Sequence, residues 1–352
     1  MSATHAMPNV QIAHTTDGVS VAWTSVGTGP VLIHLPGIPF GNLEGEWRIP
    51  VLQRAFATLA RSVRLIQYDG RGSGRSQRDV ADLSFEAMVR DLDAVIAEAG
   101  IERAVLLGFY ISVPLAIAYA ARHPERVSRL ILFGGSVRGW SPMSGSGTQA
   151  LLSLIERDWD TFVDSAAHAW LGWVDGESGR LAADWFRDST TPAVAREVIQ
   201  VASGIDVTTE AALIHCPVLV LHRREATVVP LATSEELTAA LPDARLRILE
   251  GSSASLFFEG QDAVIREIVG FALGDLGAKP NAGADTARPS GLTRRELEVL
   301  RLLAQGEMNA GIAAELGLSV HTVERHVTNI YRKIDARGRA DATAFAIRRG
   351  LV

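Results

Sequence analysis

The amino-acid sequence predicts an α/β protein with a mostly parallel sheet, followed by a small all-α domain. Two observations support this. Short β-branched runs alternate with helical segments through residues 1–273, and four closely spaced helical segments occupy residues 291–352. Strands that alternate with helices usually form a parallel sheet covered on both faces. A chain of 352 residues is long enough for one large and one small domain.

The strands are predicted from six short β-branched runs, at 31–34, 64–68, 104–107, 130–133, 217–221 and 244–249. Amphipathic segments at 85–99, 113–122 and 262–273 predict helices. The interval from about 136 to 210 breaks the strand rhythm and holds five of the seven tryptophans. We expect this interval to form a cap over the sheet domain, because tryptophans are suited to lining an apolar pocket.

Three motifs lie at the ends of predicted strands. They are His34-Leu35-Pro36-Gly37, Tyr68-Asp69-Gly70-Arg71-Gly72-Ser73-Gly74-Arg75-Ser76 and Ala120-Ala121-Arg122-His123-Pro124-Glu125-Arg126-Val127. Together they resemble the α/β-hydrolase fold, which would cover nearly all of residues 10–273. Gly72-Ser73-Gly74 alone could suggest a phosphate loop, but the following Lys and the dinucleotide spacing are absent. A tight structural turn is therefore the favoured interpretation.

The resemblance implies positions for a nucleophile, an acid and a histidine. The family's Gly-x-Ser-x-Gly turn corresponds to residues 108–112, and Tyr110 stands at the nucleophile position. Ala226 stands at the acid position and Ala254 at the histidine position. A neutral phenol is a poor acyl acceptor, and Ser112 would lie in the following helix. On these grounds we expect the chain not to be an enzyme, with no cofactor and no metal site.

A pocket is still expected where the family has its active site. If the backbone N–H groups of Ile38 and Ile111 face the former oxyanion position, they could hold an oxygen atom of a ligand. Apolar side chains near the motifs and in the cap would form the walls. The candidate ligand-binding residues are Ile38, Phe40, Trp47, Phe109, Tyr110, Ile111, Trp170, Trp173 and Phe257.

The C-terminal segment carries the start and stop signals of successive short helices. Thr293 followed by Glu296 is a capping box, which marks the beginning of a helix. Asn309 can cap a second helix, Gly317 can end it, and Ser319 can cap a third helix after a tight turn. This spacing is typical of a helix-turn-helix.

The third of these helices has two distinct faces. An apolar face, expected to be core, consists of Val323, Val327, Ile330 and Ile334. A polar face, expected to point outward, consists of His321, Arg325, Thr328 and Arg332. Arginine can bind guanine O6 and N7 with two hydrogen bonds. Outward basic residues are often only a solvated surface, but the caps, the turn and the periodicity together favour DNA binding.

The segment 291–352 resembles the LuxR-type helix-turn-helix domain. The resemblance runs through Leu292-Thr293-Arg294-Arg295-Glu296-Leu297-Glu298-Val299-Leu300, Ala304-Gln305-Gly306, Ile312-Ala313, Leu316, Thr322-Val323-Glu324-Arg325-His326-Val327 and Ile330-Tyr331-Arg332-Lys333. It implies contacts to bases by Glu324, Arg325 and Thr328, and contacts to phosphates by Asn309, Thr322 and Lys333. His321 and Arg332 complete the candidate DNA-binding set. The helix 339–349, which ends at Gly350, would form a homodimer.

Two residues depart from the LuxR pattern in the second helix. Ala310 stands where the family usually has Lys, and Gly311 stands where it usually has an acidic or helix-favouring residue. The first departure removes an expected phosphate contact. The second weakens the helix, because glycine has a low helix propensity.

Charge and composition separate the two predicted parts. Residues 291–352 contain ten basic and seven acidic residues, whereas residues 1–290 contain 24 basic and 33 acidic residues. The basic C-terminal part is therefore the expected DNA contact surface. A single cysteine, Cys216, excludes an intrachain disulfide. The sequence shows no signal peptide and no membrane span, so we expect a cytoplasmic protein.

The sequence thus predicts a ligand-sensing domain at 1–273 with a cap at about 136–210, a flexible linker at 274–290 and a DNA-binding domain at 291–352. The predicted function is transcription regulation, in which an inactive hydrolase-fold domain binds a small apolar molecule and controls binding to double-stranded DNA. Two alternatives remain at this stage. One is an active esterase or lactonase fused to a DNA-binding domain, and the other is a body that binds a protein partner.

Overall fold

The computed structural model describes residues 7–139, 146–171, 176–226, 228–274, 294–316, 320–334, 336 and 338–348. The chain divides into two compact units, Met1–Gly277 and Ala278–Val352. Several features predicted from sequence lie outside the described residues: Trp140, Trp173, Thr293, Gly317, Ser319, Gly350 and the linker residues 275–290. No helix in the described part of the chain is long and apolar enough to cross a membrane.

The first unit is built on an eight-stranded sheet in the order β1-β2-β4-β3-β5-β6-β7-β8. The strands are β1 (Gln11–His14), β2 (Ser20–Val26), β3 (Val31–His34), β4 (Arg64–Tyr68), β5 (Ala104–Phe109), β6 (Val127–Phe133), β7 (Val218–Arg223) and β8 (Ala244–Leu249). The first two strands are antiparallel to their neighbours, and the other pairs are parallel. The predicted α/β fold with a mostly parallel sheet is confirmed, and all six predicted strands are present.

Successive residues of the central strands bury their side chains on opposite faces of the sheet. Ile33 and Leu106 belong to one buried cluster, whereas their neighbours Leu32 and Leu107 belong to another. Helices cover both faces. They are α1 (Leu43–Arg48), α2 (Pro50–Leu59), α3 (Phe85–Glu98), α4 (Ser112–Arg122), α10 (Leu231–Ala239) and α11 (Gln261–Leu273). Two buried faces explain why these strands are continuous apolar runs in the sequence.

The cap lies between β6 and β7 in the chain. It contains α5 (Ser146–Leu152), α6 (Trp159–Leu171), α7 (Gly176–Ser189), α8 (Pro192–Ser203) and the short α9 (Thr208–Ala212). Phe162 and Phe186 of the cap share a buried cluster with Phe40 of the sheet domain. The cap is thus packed directly on the loop that follows β3.

The segment 69–76 is a tight turn with a structural role. The carboxylate of buried Asp69 accepts the backbone N–H groups of Leu43 (2.7 Å) and Arg75 (2.8 Å). Gly74 has a φ of +48°, and a Cβ there would lie 2.1 Å from the Asp69 carboxylate, so no larger residue fits. The turn ties α1 to β4 and gives this motif an architectural function.

In its described residues, the second unit contains four helices: α12 (Arg294–Ala304), α13 (Asn309–Leu316), α14 (Val320–Ile334) and α15 (Arg339–Arg348). Its core contains Leu300, Leu303, Val323 and Ile330, which are essentially fully buried. The amphipathic pattern of the sequence therefore placed the core face of α14 correctly at Val323 and Ile330. Ala342 and Ala346 of α15 are also buried in this core.

Candidate ligand cavity and nucleic-acid interface

A cavity of about 110 Å³ lies beyond the carboxyl ends of β3 and β5 in the sheet domain. The loop after β3, helix α2, the cap helix α7 and the loop after β8 surround it. Its lining residues are His34, Gly37, Ile38, Phe40, Glu46, Leu52, Phe56, Phe109, Tyr110, Trp185, Phe186, Ala254, Ser255, Leu256 and Phe257. Among the ligand-binding residues expected from sequence, the structure brings five to this cavity: Ile38, Phe40, Phe109, Tyr110 and Phe257.

Other predicted pocket residues lie elsewhere. Trp47 is buried behind the cavity, where its indole N–H donates to Gln67 Oε1 at 3.0 Å. Ile111 immediately precedes α4 and packs into the opposite core cluster, so its side chain does not line the cavity. Both are corrections to the sequence analysis, and in both cases the sheet core takes the apolar side chain. Trp173 and the side chain of Trp170 lie outside the described residues.

The expected oxyanion-type donor at Ile38 is also corrected. The N–H of Ile38 donates to the carbonyl oxygen of Pro36 at 3.0 Å, within the same loop. This hydrogen bond satisfies the donor internally, so Ile38 contributes its side chain to the cavity and not a free N–H group.

Tyr110 occupies the turn between β5 and α4 with a φ of 49°, and it is the only described non-glycine residue with positive φ. Such a left-handed conformation is costly for a bulky residue and is concentrated at functional turns. Its hydroxyl donates to the carbonyl oxygen of Ala254 at 2.5 Å. Gly134 is required beside it, because a Cβ there would lie 2.9 Å from the Tyr110 ring. The phenol therefore links the turn to the loop after β8.

Ser112, which follows this turn, is fully buried in the first turn of α4. Its Oγ accepts the N–H of Phe109 at 2.9 Å and lies 2.9 Å from the Phe109 carbonyl oxygen, to which it donates. The hydroxyl is therefore bound to its own turn. This agrees with the sequence interpretation that Ser112 lies in the helix after the turn.

The loop after β8 is held in place by a buried arginine. Arg223 at the end of β7 donates to the carbonyl oxygens of Glu250 (2.8 Å), Leu256 (3.0 Å) and Glu259 (2.5 Å). The Glu259 carboxylate accepts the N–H groups of two serines in the same loop, 252 and 253. These contacts fix the loop that carries Ala254 and the wall residue Phe257.

His34 is a cavity residue that the sequence analysis assigned only to a structural motif. Its ring stacks on Phe109 with a centroid distance of 5.1 Å, and it also contacts Phe56 and Phe257 at 5.7 and 6.0 Å. Burial lowers the pKa of His34 to about 4, because the charged form loses its hydration. The imidazole is therefore neutral at pH 7. Its position at the end of a buried strand was the available signal for a pocket residue.

Glu46 is the second titratable group of the cavity that the sequence analysis missed. Burial, with a smaller contribution from the nearby charge of Asp69, raises its pKa to about 8. Gln67 Nε2 lies 3.5 Å from its carboxyl group. Glu46 is therefore mostly uncharged at pH 7. It was overlooked because it follows Glu44 in a short segment that resembles an ordinary exposed helix.

Glu46 should make the stability of the first unit depend on pH. Since its pKa is about 8 in the folded chain and near 4.5 when unfolded, the folded state binds the extra proton in that interval. The stabilisation is complete below pH 4.5 and is lost as pH rises through 8. We expect Glu46→Gln to remove this loss of stability at high pH. The urea midpoint of the variant should therefore fall less than that of the wild type between pH 6 and 9.

Tryptophan fluorescence measures this unit alone, because all seven tryptophans lie at or before residue 185. Glu98→Gln, at an exposed position of α3, is the control and should retain the wild-type pH profile. If the urea midpoints of Glu46→Gln and the wild type fall equally between pH 6 and 9, Glu46 is not the group that causes the loss of stability.

Some of the candidate DNA-binding residues can be placed on the second unit. Glu324 and Thr328 are exposed on α14, and the Thr328 hydroxyl donates to the Glu324 carbonyl oxygen at 3.0 Å. Asn309 is half-buried and is the first residue of α13. The preceding residue, Met308, therefore caps the helix, and its carbonyl oxygen accepts the N–H of Ile312. Four candidate residues on α14 have side chains outside the described part: His321, Thr322, Arg325 and Arg332.

Lys333 makes a contact that the sequence analysis did not foresee. Its Nζ lies 2.7 Å from the carboxylate of Glu296, which is only 5% exposed, whereas the Lys333 side chain is 30% exposed. The ammonium group joins α14 to the first turn of α12. This pairing competes with the predicted phosphate contact of Lys333, which stays a prediction. A carboxylate in this core requires a cation, and Lys333 is positioned to supply it.

The comparisons with known proteins agree with these two architectures. Residues 290–346 match the family described as bacterial regulatory proteins, luxR family, and residues 30–178 match the alpha/beta hydrolase fold. The chain joins an α/β-hydrolase domain to a LuxR-family DNA-binding domain. The resemblances to these two families are therefore confirmed. In the described residues, no group of three or more His, Cys, Asp or Glu side chains is arranged to hold a metal ion.

Relatives of the hydrolase domain carry the names of enzymes. A putative carbamate hydrolase RutD from Caulobacter sp. (strain K31) is 28% identical over 225 residues, which cover 60% of this chain and 81% of that protein. The esterase EaEST from Exiguobacterium antarcticum has a TM-score of 0.65 at 18% identity, covering 75% of this chain and 99% of the other. The enol-lactonase from Burkholderia xenovorans LB400 has a TM-score of 0.64 at 21% identity, covering 75% and 100%.

These relatives contradict the expectation that the chain is not an enzyme. That expectation depended on the side chains at three positions, whereas the similarity to a named hydrolase extends over 225 residues. The hydrolase domain thus has enzymes among its relatives, although the structure places Tyr110 at the turn and Ala254 in the loop opposite it.

In the LuxR-family domain we expect Lys333→Met to destabilise α12 and α14 by about 1 to 2 kcal/mol, because it removes the cation beside a buried carboxylate. Partial exposure of Lys333 keeps this effect below that of a fully buried pair. Hydrogen exchange of peptides from residues 294–304 and 320–334 in the full chain would measure it. Gln305→Met, an exposed substitution at the end of α12, should leave this exchange unchanged.

The same variant tests whether Lys333 contacts a phosphate. Each phosphate contact contributes about −0.9 to the slope of log K against log salt. We expect Lys333→Met to retain the wild-type slope. A slope reduced by about one unit would show that Lys333 leaves Glu296 and binds a phosphate in the complex.

Proposed function

We propose that this protein is a ligand-responsive transcription regulator, in which the hydrolase-fold domain binds a small apolar molecule that controls the LuxR-family domain. The observation that carries the proposal is the aromatic cavity under the cap, in a chain that also contains a DNA-binding domain. A concave, mainly apolar site with a few polar groups is the usual form of a small-molecule site.

The cavity limits the size of the ligand. An engineered apolar cavity of about 150 Å³ binds benzene, and the cavity here measures about 110 Å³. The ligand that fits the described cavity is therefore about as large as one substituted aromatic ring. Aromatic walls such as Phe56 and Phe257 favour a flat molecule, because rings pack well in stacked and edge-to-face arrangements.

Native mass spectrometry of the purified full chain tests the first half of the proposal. We expect a retained small molecule that is released when the protein is denatured. Adding that molecule back to ligand-free protein should then change the affinity for operator DNA by at least about fivefold, which corresponds to about 1 kcal/mol of coupling. If DNA affinity is the same with the cavity empty and occupied, the cavity does not control the LuxR-family domain.

We further propose that the regulator binds as a homodimer to a two-fold symmetric operator, with Arg325 reading a base. Arg325→Ala should lower affinity for the operator by about 1 to 3 kcal/mol and affinity for random DNA much less. Band-shift titrations on both DNAs give the two numbers. An equal loss on operator and random DNA would assign Arg325 to the phosphate backbone.

Hydrolysis is a second candidate function, favoured by the names of the relatives. The cavity would then hold a small ester or carbamate, with the Tyr110 hydroxyl directed at the loop after β8. Under this candidate, activated aryl esters turn over saturably and Tyr110→Phe lowers kcat/KM at least about tenfold. Equal rates of ester hydrolysis for the wild type and Tyr110→Phe would show that the Tyr110 hydroxyl takes no part in the reaction.

A further inference from the structure

The polar groups of the cavity restrict the chemistry of its ligand further than its size does. His34 is only 6% exposed, lines the cavity and makes no hydrogen bond to any residue in the described part of the chain. A neutral imidazole carries one donor and one acceptor nitrogen. Leaving them without partners in a buried site costs free energy, so buried polar groups are nearly always paired. This imidazole is therefore available to a bound molecule.

The surroundings of His34 are aromatic. Phe109 stacks on its ring, and Phe56 and Phe257 lie within 6.0 Å, measured between ring centroids. These rings and the imidazole are all part of the cavity wall. A ligand whose polar atom reaches His34 must therefore place its remaining atoms against phenylalanine rings. An aromatic ring satisfies that requirement better than a flexible polar chain.

The cavity is also unsuited to a charged ligand. None of the lining residues found in the described structure is a lysine or arginine, so a carboxylate or phosphate would have no cation beside it. Burial keeps Glu46 largely protonated at pH 7 and His34 neutral. Burying an unpaired charge in such an environment costs several kcal/mol or more. An uncharged molecule is the class that this wall accommodates.

We infer that the cavity binds a small uncharged aromatic molecule with one hydroxyl group, and that this hydroxyl group hydrogen-bonds to the imidazole of His34. The inference rests on the proposed ligand-sensing function and names the chemical class of its ligand. His34 would be the residue that distinguishes a phenol from a hydrocarbon of the same shape. A site that binds a hydroxyl group rejects the analogue without one, because the buried group is then left unpaired.

Four probes of similar size test this inference on the full-length protein: phenol, toluene, benzoate and benzylamine. Isothermal titration at pH 7 should give a Kd for phenol about tenfold lower than that for toluene, as expected for one net hydrogen bond of about 1.4 kcal/mol. Benzoate and benzylamine should bind more weakly than phenol. His34→Leu should abolish the preference for phenol while retaining the wild-type Kd for toluene.

Binding of toluene serves as the folding control for His34→Leu, and His34→Asn provides a second variant with a hydrogen-bonding group. We expect His34→Asn to retain part of the preference for phenol.

Tighter binding of benzylamine than phenol would overturn the inference and identify Glu46 as an anionic site. A phenol preference that survives His34→Leu would also overturn it. Equal binding of phenol and toluene would refute the hydroxyl assignment but leave the ligand-sensing function intact. If no probe binds at all, the inference fails, and the response of operator affinity to the retained molecule then decides the proposed function separately.

Discussion

Arg223→Met should destabilise the hydrolase-fold unit by about 3 to 5 kcal/mol. The guanidinium group is fully buried and donates to three backbone carbonyl oxygens of the loop 250–259. Methionine fills much of the same volume but donates no hydrogen bond, and each buried acceptor left without a donor costs about 1 to 3 kcal/mol. The loss should appear as a lower urea midpoint measured by tryptophan fluorescence.

The neighbouring Arg224 is a matched control for this substitution. Its side chain is 58% exposed, and its ion pair with Glu250 is at the surface. Exposed ion pairs contribute little to stability, so Arg224→Met should change it by less than about 1 kcal/mol. Similar losses for the two variants would mean that the buried hydrogen bonds of Arg223 are not specifically stabilising. Hydrogen exchange in residues 250–259 should rise for Arg223→Met alone.

The loop after β8 shows what the sequence could not predict. The spacing of Gly251 and Glu259 placed Ala254 in this loop, because that pattern is local. The buried Arg223 that holds the loop was not identified, because an arginine at the end of a strand usually extends to solvent. Its three acceptors come from residues 250 to 259, and only the folded chain brings them to β7.

Periodicity was sufficient for elements with two buried faces or one long apolar face. The strands at 31–34 and 64–68 and the helix faces of the C-terminal domain follow directly from it. The antiparallel strands β1 and β2 were missed. β1 has only four residues, mostly exposed, and its pairing with β2 depends on contacts that a local pattern does not contain.

Only part of the cavity lining was predicted, because the remaining lining residues depend on contacts that a local sequence pattern does not contain. Phe40, Phe109 and Phe257 were identified because they adjoin motifs at strand ends. Trp47 and Ile111 adjoin the same motifs but do not line the cavity, since Trp47 is hydrogen-bonded to Gln67 and Ile111 packs on the opposite face of the sheet. His34 and Glu46 were missed because their burial, and hence their altered pKa values, arises only when the cap and α1 close over the sheet. Adjacency in sequence gives the neighbourhood of a site but not the direction of each side chain.

Leu52→Trp should abolish the response of DNA binding to the ligand. Leu52 lies on α2, is 4% exposed and lines the cavity, so an indole at this position would occupy the space available to a ligand. Overpacking costs about 1 to 3 kcal/mol of stability. Urea unfolding followed by tryptophan fluorescence can show that the variant remains folded. We expect operator affinity without ligand to remain near the wild-type value, and the change on adding the retained molecule to disappear.

Arg54→Trp introduces the same side chain two residues later, at an exposed position of the same helix. This control should respond to the ligand as the wild type does. A ligand shifts an equilibrium between two states of a protein only by the difference in its affinity for them. A filled cavity does not bind the ligand in either state, so the ligand cannot change DNA binding through it. A full response in Leu52→Trp would place the sensing site outside this cavity.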